Sequence, residues 1–294
     1  MTGPKNKFSR GTSFFIVFVA YIVAILVGIY VARFFNYQNS LIDVAIADVA
    51  ATVVIFIFSF LLSNSSMYDP YWSVIPIPIA CYWMTINPDG NPTRQWIILL
   101  LVTFWGVRLT VNWIRGWPGL HHEDWRYVDL AQKNGKLYWL VSFSGIHLFP
   151  TVLVFGGMIP VWVGMASSQP LNLLDYLAII ITFGAVLIEW ISDEQLKAFK
   201  GKVTEKGAFI NSGLWAYSRH PNYFGEVSFW VGLFLFAVAI SPQNYWSGIG
   251  ALAMIILFVF ISIPMMDERH KLTRNSYEEH MKKVSGLVPW WPKK

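Results

Sequence analysis

The sequence predicts an all-α integral membrane protein, a bundle of about eight transmembrane helices. Of its 294 residues, 55% are hydrophobic and only 13% are charged, whereas a soluble domain averages about 25% charged residues. Several apolar runs are long enough to cross a bilayer, which takes about 20 residues. The 15 Trp, 13 Tyr and 22 Phe residues suit aromatic belts at the two membrane surfaces. We therefore interpret the net charge of +5 as a property of the loops that flank the membrane, and we expect no nucleic-acid partner.

Eight apolar segments define the expected spans. They cover residues 13–32, 41–62, 71–86, 94–113, 137–165, 173–191, 222–240 and 245–263. The third segment is short and contains Pro76 and Pro78, so we expect a broken helix whose freed backbone groups are satisfied by neighbouring protein. Pro150 and Pro160 favour a kink in the fifth segment.

The distribution of basic residues predicts the orientation. Nineteen of the 22 Lys and Arg residues fall in the two tails and in the loops on the same side, while Arg33 and Arg94 fall on the other side. Because cytoplasmic loops carry the excess of basic residues, both termini are expected in the cytoplasm. The expected location is the endoplasmic reticulum in a eukaryote or the inner membrane in a bacterium.

Five ionisable residues lie inside the predicted spans and away from their outer ends, where a charged side chain is costly and is a functional candidate by default. They are Asp48, Arg108, His147, Glu189 and Glu226. Internal pairing, for example of Arg108 with a carboxylate from another helix, is the structural alternative. For His147 we expect an ordinary hydrogen-bonded core residue.

A polar segment runs directly into the seventh apolar span. Pro221 suits the first helical position, where its missing N–H would have no partner. Arg219 and His220 precede it, and Asn222 and Glu226 follow on one helix face. A helix start with two bases beside it offers donors and positive charge to an anionic ligand. The alternative is an interfacial loop that contacts lipid headgroups.

The sixth span carries a polar stripe towards the cytosol. Glu189, Asp193, Lys197 and Lys200 recur at helical spacing and share one face. In a pocket, the carboxylates would hold hydroxyl or amide groups and the lysines would hold phosphates. A plain salt-bridged face is the alternative interpretation.

Other chemistries have weak support. No Gly-x-Gly-x-x-Gly or Walker loop precedes a helix. The adjacent His121 and His122 are a poor spacing for a single metal ion, and one cysteine, Cys81, excludes a cysteine-rich centre. We predict no metal site.

Six sequence blocks together carry a family resemblance. They are Asp-Pro-Tyr-Trp-Ser at 69–73, Trp-Gly-Val-Arg-Leu-Thr at 105–110, Glu-Asp-Trp-Arg-Tyr at 123–127, Asp-Glu-Gln-Leu-Lys-Ala-Phe-Lys at 193–200, the segment 213–226, and the tail 268–289. With these blocks the chain resembles the DUF1295 group of the steroid 5α-reductase-like membrane proteins. The resemblance implies a seven-helix core with an extra N-terminal helix. It further implies N-terminal helices in residues 1–62 and a membrane domain in residues 63–294, integrated into one domain.

The resemblance also implies NADPH as the cofactor, bound from the cytosolic side within residues 189–290. The implied reaction reduces a carbon–carbon double bond conjugated to a carbonyl, in a steroid-like or other lipid substrate taken from the bilayer. Carried over by position, the implied cofactor contacts are Asp193, Lys197, Lys200, Tyr217, Asn222, Glu226 and Arg269, while Glu189 stands where the steroid reductases have Asn. Together with the residues around the helix start, the candidate cofactor-binding set also includes Glu189, Arg219, His220 and Tyr223.

The substrate end departs from the family pattern. Steroid reductases polarise the enone oxygen with a Gln-Glu pair and a Tyr, but Trp105 stands at the Tyr position here and no such pair is found. A donor must still stabilise the developing oxyanion, and a proton must reach the α carbon. The candidate catalytic residues are Asp69, Tyr82, Arg108 and Glu226.

Two rival functions come from other classes. The segment 219–223 and the tail 268–277 also resemble isoprenylcysteine carboxyl methyltransferases and related phospholipid methyltransferases, which bind S-adenosylmethionine at the same helix start. The block 193–200 and the ending Asn-Tyr-Phe-Gly-Glu favour the reductase. The third interpretation is a non-catalytic lipid-binding protein, which Trp105 favours. The sequence does not predict the oligomeric state.

Overall fold

A computed structural model describes residues 8–35, 37–203 and 205–293. Throughout these residues the regular structure is helical and no strand occurs, which confirms the predicted all-α class. Seven helical stretches within them are long and apolar enough to cross a membrane. The protein is therefore a multi-pass membrane protein. The chain divides into two compact units, residues 1–166 and residues 167–294. The predicted division at residue 62 stays a prediction.

The first unit contains eight α-helices in its described residues. They are α1 (Arg10–Phe35), α2 (Ser40–Leu61), α3 (Tyr71–Val74), α4 (Pro76–Thr85), α5 (Pro92–Gly116), α6 (Trp125–Asn134), α7 (Tyr138–Val141) and α8 (Phe149–Ala166). Helix α1 packs along α2, and α8 packs against α2, α4 and α5. A buried hydrogen bond of 2.8 Å between the hydroxyls of Thr52 and Thr151 ties α2 to α8. Such polar links between spans are favourable because lipid offers no hydrogen-bond partner.

The predicted third span is broken, as expected, and this accounts for seven candidate spans where eight were predicted. Helices α3 and α4 have four and ten residues, so neither crosses a bilayer alone. Pro76 occupies the first position of α4, where its missing N–H costs nothing. Ser73 links α3 to α5, because its Oγ lies 3.0 Å from Thr110 Oγ1.

Two π-helical turns interrupt otherwise continuous spans. One covers Ser142–Leu148 and the other Phe258–Ser262. Each directly precedes a helix whose second residue is proline, Pro150 or Pro264. Proline removes one backbone hydrogen bond and its ring crowds the carbonyl of the preceding turn. A π turn holds one extra residue, so the span accommodates the proline without ending.

The second unit is built on a long helix pair. Its α-helices are α9 (Leu173–Lys202), α10 (Pro221–Ile240), α11 (Ile249–Leu257), α12 (Ile263–Thr273) and α13 (Tyr277–Lys283). Helices α9 and α10 form the most extensive pairing in this unit. Two glycines on α10 allow it: a Cβ at Gly225 would strike Glu189 Cγ, and one at Gly232 would strike Thr182. Close approach at small residues is the usual way in which membrane helices associate.

Candidate functional site

The start of α10 carries one buried polar atom without a partner in the described part of the chain. His220 is the residue that precedes the helix, and its side chain makes no capping hydrogen bond. Pro221 occupies the first helical position, as predicted. The Oδ1 atom of Asn222 is buried and has no hydrogen-bond partner in the described part of the chain. An acceptor in this state calls for an N–H or O–H donor, because a buried polar atom without a partner costs free energy.

Arg219 is placed differently from what the phosphate prediction requires. Its guanidinium forms a buried ion pair with Asp267 of α12, with Nη2 2.7 Å from Oδ2 and Nε 3.3 Å from Oδ1. Its Nη1 donates to the carbonyls of Val284 and Met281, at 2.6 and 3.2 Å. The guanidinium therefore fastens the C-terminal segment to the start of α10.

His220 shares the same carboxylate. Its Nε2 lies 3.0 Å from Asp267 Oδ1, and its ring stacks on Tyr223 with a centroid distance of 5.1 Å. Tyr277 donates to the same Oδ1 at 2.9 Å. Burial and the nearby Asp267 carboxylate raise the pKa of Tyr277 well above its usual range, so its hydroxyl stays a donor. Asp267 thus gathers three side chains, and we call Arg219, His220, Asp267 and Tyr277 the tail clamp.

The C-terminal segment continues along the residues before α10. Ser218 pairs with Ser285 in an isolated bridge, and its Oγ donates to Leu287 O at 2.7 Å. Trp290 N donates to Tyr217 O at 2.9 Å. Tyr217, a predicted cofactor contact, is therefore covered on its backbone side, while its side chain is 37% exposed. Arg269, the predicted contact in the tail, lies half-buried in α12.

The predicted stripe on α9 separates by burial. Glu189 is buried against Gly225 of α10, and Asp193 is half-buried. Lys197 and Lys200 are exposed. Burial along the stripe therefore decreases from Glu189 through Asp193 to the two lysines.

Glu226 faces the same helix pair from α10. It is 6% exposed, and Trp230 Nε1 donates to its Oε1 at 2.8 Å. The two residues are one helical turn apart, so the indole fixes the carboxyl orientation locally. Glu189 and Glu226 are therefore buried acids on two tightly packed helices.

Two positioning residues were missed by the sequence reasoning. Trp215 Nε1 donates to Ser192 O at 3.0 Å, and Leu214 N donates to Gln195 Oε1 at 3.0 Å. Gly213 takes a positive φ of 61° against the Gln195 side chain, where a Cβ would clash. Together these contacts hold the loop before α10 onto α9. The sequence did contain a signal for this contact. The contacting residues lie in or next to the blocks 193–200 and 213–226, and two motifs of one family are candidates for packing together.

The first unit has its own polar cluster around Asp69. Tyr127 donates to Asp69 Oδ1 at 2.6 Å. The preceding turn is held by the loop before α6, because Asn64 Nδ2 donates to Leu120 O at 2.9 Å and Ser65 N donates to Glu123 Oε1 at 2.8 Å. The motifs at 69–73 and 123–127 are therefore in contact, which sequence reasoning did not predict.

Burial raises the pKa of Asp69 to about 7, although the Tyr127 hydroxyl favours the charged form. An unfolded Asp titrates near 4, so the contribution of Asp69 to stability should fall as pH rises from about 4 to about 7 and then level off. In this window the folded state holds a proton that the unfolded state has lost.

We therefore predict that Asp69→Asn removes part of this pH dependence. The measurement is detergent unfolding of both proteins between pH 4 and pH 8. Asp129→Asn is the control, because Asp129 lies in an exposed pair with Lys133. Parallel pH profiles for the wild type and Asp69→Asn would contradict the raised pKa.

The other predicted catalytic residues of the first unit lie on separate helices. Arg108 is buried in α5, and Tyr82 lies in the last turns of α4, 39% exposed. Trp105 is fully buried and tilts against Trp72 with a centroid distance of 5.9 Å. It is part of the packed core of the first unit. His147 donates from Nδ1 to Ser142 O at 2.9 Å and accepts from Ser59 Oγ at 3.0 Å, the core role that was expected.

Comparison with known proteins adds a family and one relative. A family described as "Protein of unknown function (DUF1295)" matches residues 55–284. An uncharacterized protein of Schizosaccharomyces pombe is 25% identical over 254 residues, which cover 77% of this chain and 73% of the relative. No solved structure matches the chain.

Proposed function

The chain belongs to the DUF1295 family, and from this premise we propose that it is a membrane-embedded reductase that uses NADPH. The proposed reaction reduces a carbon–carbon double bond conjugated to a carbonyl in a steroid-like or other lipid from the bilayer. The observation that carries the proposal is the unpartnered Oδ1 of Asn222 at the start of α10, on the helix that carries Glu226 and packs against Glu189.

These side chains favour a ligand that is rich in donors. Carboxylates only accept hydrogen bonds, and the orphan amide oxygen of Asn222 also accepts. Ribose hydroxyls and a nicotinamide carboxamide supply such donors. The buried acids Glu189 and Glu226 and the half-buried Asp193 would hold those groups in the proposed site.

The phosphates of the cofactor need cations. Arg219 and His220 already hold Asp267, so they supply little charge to a second anion. Lys197 and Lys200 are exposed on α9, and the start of α10 adds partial positive charge. In the proposed site the two lysines would meet the additional phosphate that distinguishes NADPH from NADH.

NADPH, when bound, supplies a hydride. The chain itself must supply a proton for the α carbon and a donor for the carbonyl oxygen. Glu226, oriented by Trp230, can hold a proton at its carboxyl group. Asp69, Tyr82 and Arg108 stay predictions for stabilising the carbonyl oxygen, and burial raises the pKa of Asp69 to about 7, which favours its protonated, donor form.

The test is ligand binding to the full chain in detergent, read from the unfolding temperature. We expect NADPH at 100 times its dissociation constant to raise this temperature by about 5 °C. Asn222→Ala should abolish the shift, since it removes the orphan acceptor. Asn244→Ala is the matched control, because Asn244 binds Ala237 O at the opposite end of α10.

The same assay separates the rival functions. Stabilisation by S-adenosylmethionine alone would replace the reductase with a methyltransferase. A response to neither compound would leave the non-catalytic lipid-binding protein. An NADPH shift that Asn222→Ala retains would contradict the proposed placement of the cofactor.

A further inference from the structure

Helices α1, α2 and α4 enclose a half-open groove in the first unit. Its volume is about 240 Å³ and its lining is mostly apolar. Small residues make the space, with Gly28 and Ala32 on α1 and Ala47 on α2, while Ile79 and Tyr82 line it from α4. None of these residues belongs to the second unit, which carries the proposed cofactor-binding residues.

One acidic residue stands on this lining. Asp48 of α2 is 4% exposed and belongs to the groove wall. Its Oδ1 accepts a hydrogen bond of 2.9 Å from the Tyr71 hydroxyl. Its Oδ2 has no hydrogen-bond partner among the described residues. A buried carboxyl oxygen in this state is costly, and the cost is relieved when a ligand supplies a partner.

The chemistry of the wall limits the ligand. A pure hydrocarbon would leave Oδ2 unsatisfied. Arg33 also lines the groove and would attract an acid, but a fatty acid whose carboxylate met Asp48 would be repelled when both groups are ionised. A hydroxyl both donates and accepts, so it satisfies Asp48 in either protonation state.

We propose that this groove binds an uncharged lipid alcohol. The apolar body lies along α1 and α4, and the hydroxyl forms a hydrogen bond with Asp48 Oδ2. Tyr71 acts as a positioning residue, because its hydroxyl holds the other carboxyl oxygen. Tyr82 lines this groove and is also a candidate catalytic residue, but the inference rests on Asp48 and the apolar wall and would stand if the reductase function failed.

The experiment uses the full chain in lipid nanodiscs and a 12-carbon alcohol that carries a diazirine. Photolabelling should map by mass spectrometry to α1, α2 and α4. Unlabelled 1-dodecanol should compete about tenfold better than dodecane, the value of one additional buried hydrogen bond. In Asp48→Ala the two competitors should become equal.

Asp43→Ala is the matched control. Asp43 is also a buried acid of α2, 5% exposed, but it accepts from Tyr37 N at 2.8 Å and does not line the groove. It should retain the tenfold preference. If Asp48→Ala fails to fold, Ala32→Trp offers a second test, since it fills the groove from a half-exposed wall and should abolish labelling.

Three results would overturn the proposal. The first is equal competition by dodecanol and dodecane in the wild type. The second is labelling outside the three helices. The third is stronger competition by dodecylamine than by dodecanol, which would assign the groove to a cationic lipid.

Discussion

Replacing Asp267 with Ala is expected to release the C-terminal segment and to lower the free energy of unfolding by about 3–5 kcal/mol. The substitution leaves the buried guanidinium of Arg219 without its counter-ion, and the side-chain exposures of the two partners are only 11% and 5%. His220 and Tyr277 lose the same acceptor. The measurement is unfolding of the purified protein in detergent, followed together with proteolysis of the tail.

Glu268→Ala is the control for this substitution. Glu268 is the next residue and also carries an ion pair, with Lys271, but its side chain is 68% exposed. An exposed pair contributes little, because water already solvates both charges. Unfolding curves that coincide for the two variants would show that the tail clamp does not stabilise the fold.

Gly232→Ala is expected to separate α9 from α10. The added Cβ would lie 2.9 Å from Thr182 N and 3.0 Å from Thr182 Cα, which are backbone atoms that no rotamer change moves. Overpacking of this kind costs about 1–3 kcal/mol, and more where the backbone must shift. Because Glu189 and Asn222 lie on the same two helices, the NADPH response should weaken as well.

Gly184→Ala provides the opposite expectation on the same helix pair. No heavy atom lies within 4 Å of a Cβ at Gly184. Ala is the better helix former by about 0.5–1 kcal/mol, so this variant should be slightly more stable than the wild type. Destabilisation by both substitutions to the same extent would mean that close packing at Gly232 is not the cause.

The elements of the fold could be predicted from the sequence because the membrane imposes a strong local signal. Apolar runs, together with proline positions, predicted α1, α2, α5, α9 and α10 and the break between α3 and α4. The π turns could not be predicted, because Pro150 and Pro160 predict a disturbed helix without fixing its form. Whether the helix kinks or forms a π turn depends on how its side chains pack against the neighbouring helices.

The candidate site was predicted in part, and the reason is distance along the chain. The position of Pro221 at the helix start and the stripe on α9 follow from local spacing. The partner of Arg219 lies 48 residues later in α12, so its pairing with Asp267 follows from tertiary structure alone. From sequence alone, a basic residue beside a helix start predicts a binding site for an anionic ligand. The structure shows that Asp267, an anion within the protein, already occupies Arg219.

Asp48 illustrates the same limit. Its position inside a span marked it as costly, but the groove beside it is made by Gly28, Ala32 and Ala47, which are unremarkable as sequence. Small residues on two separate helices form no pattern that the sequence of either helix shows alone. The groove can be recognised only once the packing of α1 against α2 is known.

The π turn at Phe258–Ser262 determines the direction in which the side chains of α12 point around the helix axis. A π turn is equivalent to one residue inserted into an α-helix. Removing that residue would rotate α12 by about 100° and shift it by about 1.5 Å along its axis. Asp267, which lies on α12, would then point away from Arg219 and His220. The stretch from Phe258 to Asp267 should therefore tolerate substitutions far more readily than insertions or deletions. The tail clamp depends on the number of residues in this stretch, because that number orients Asp267.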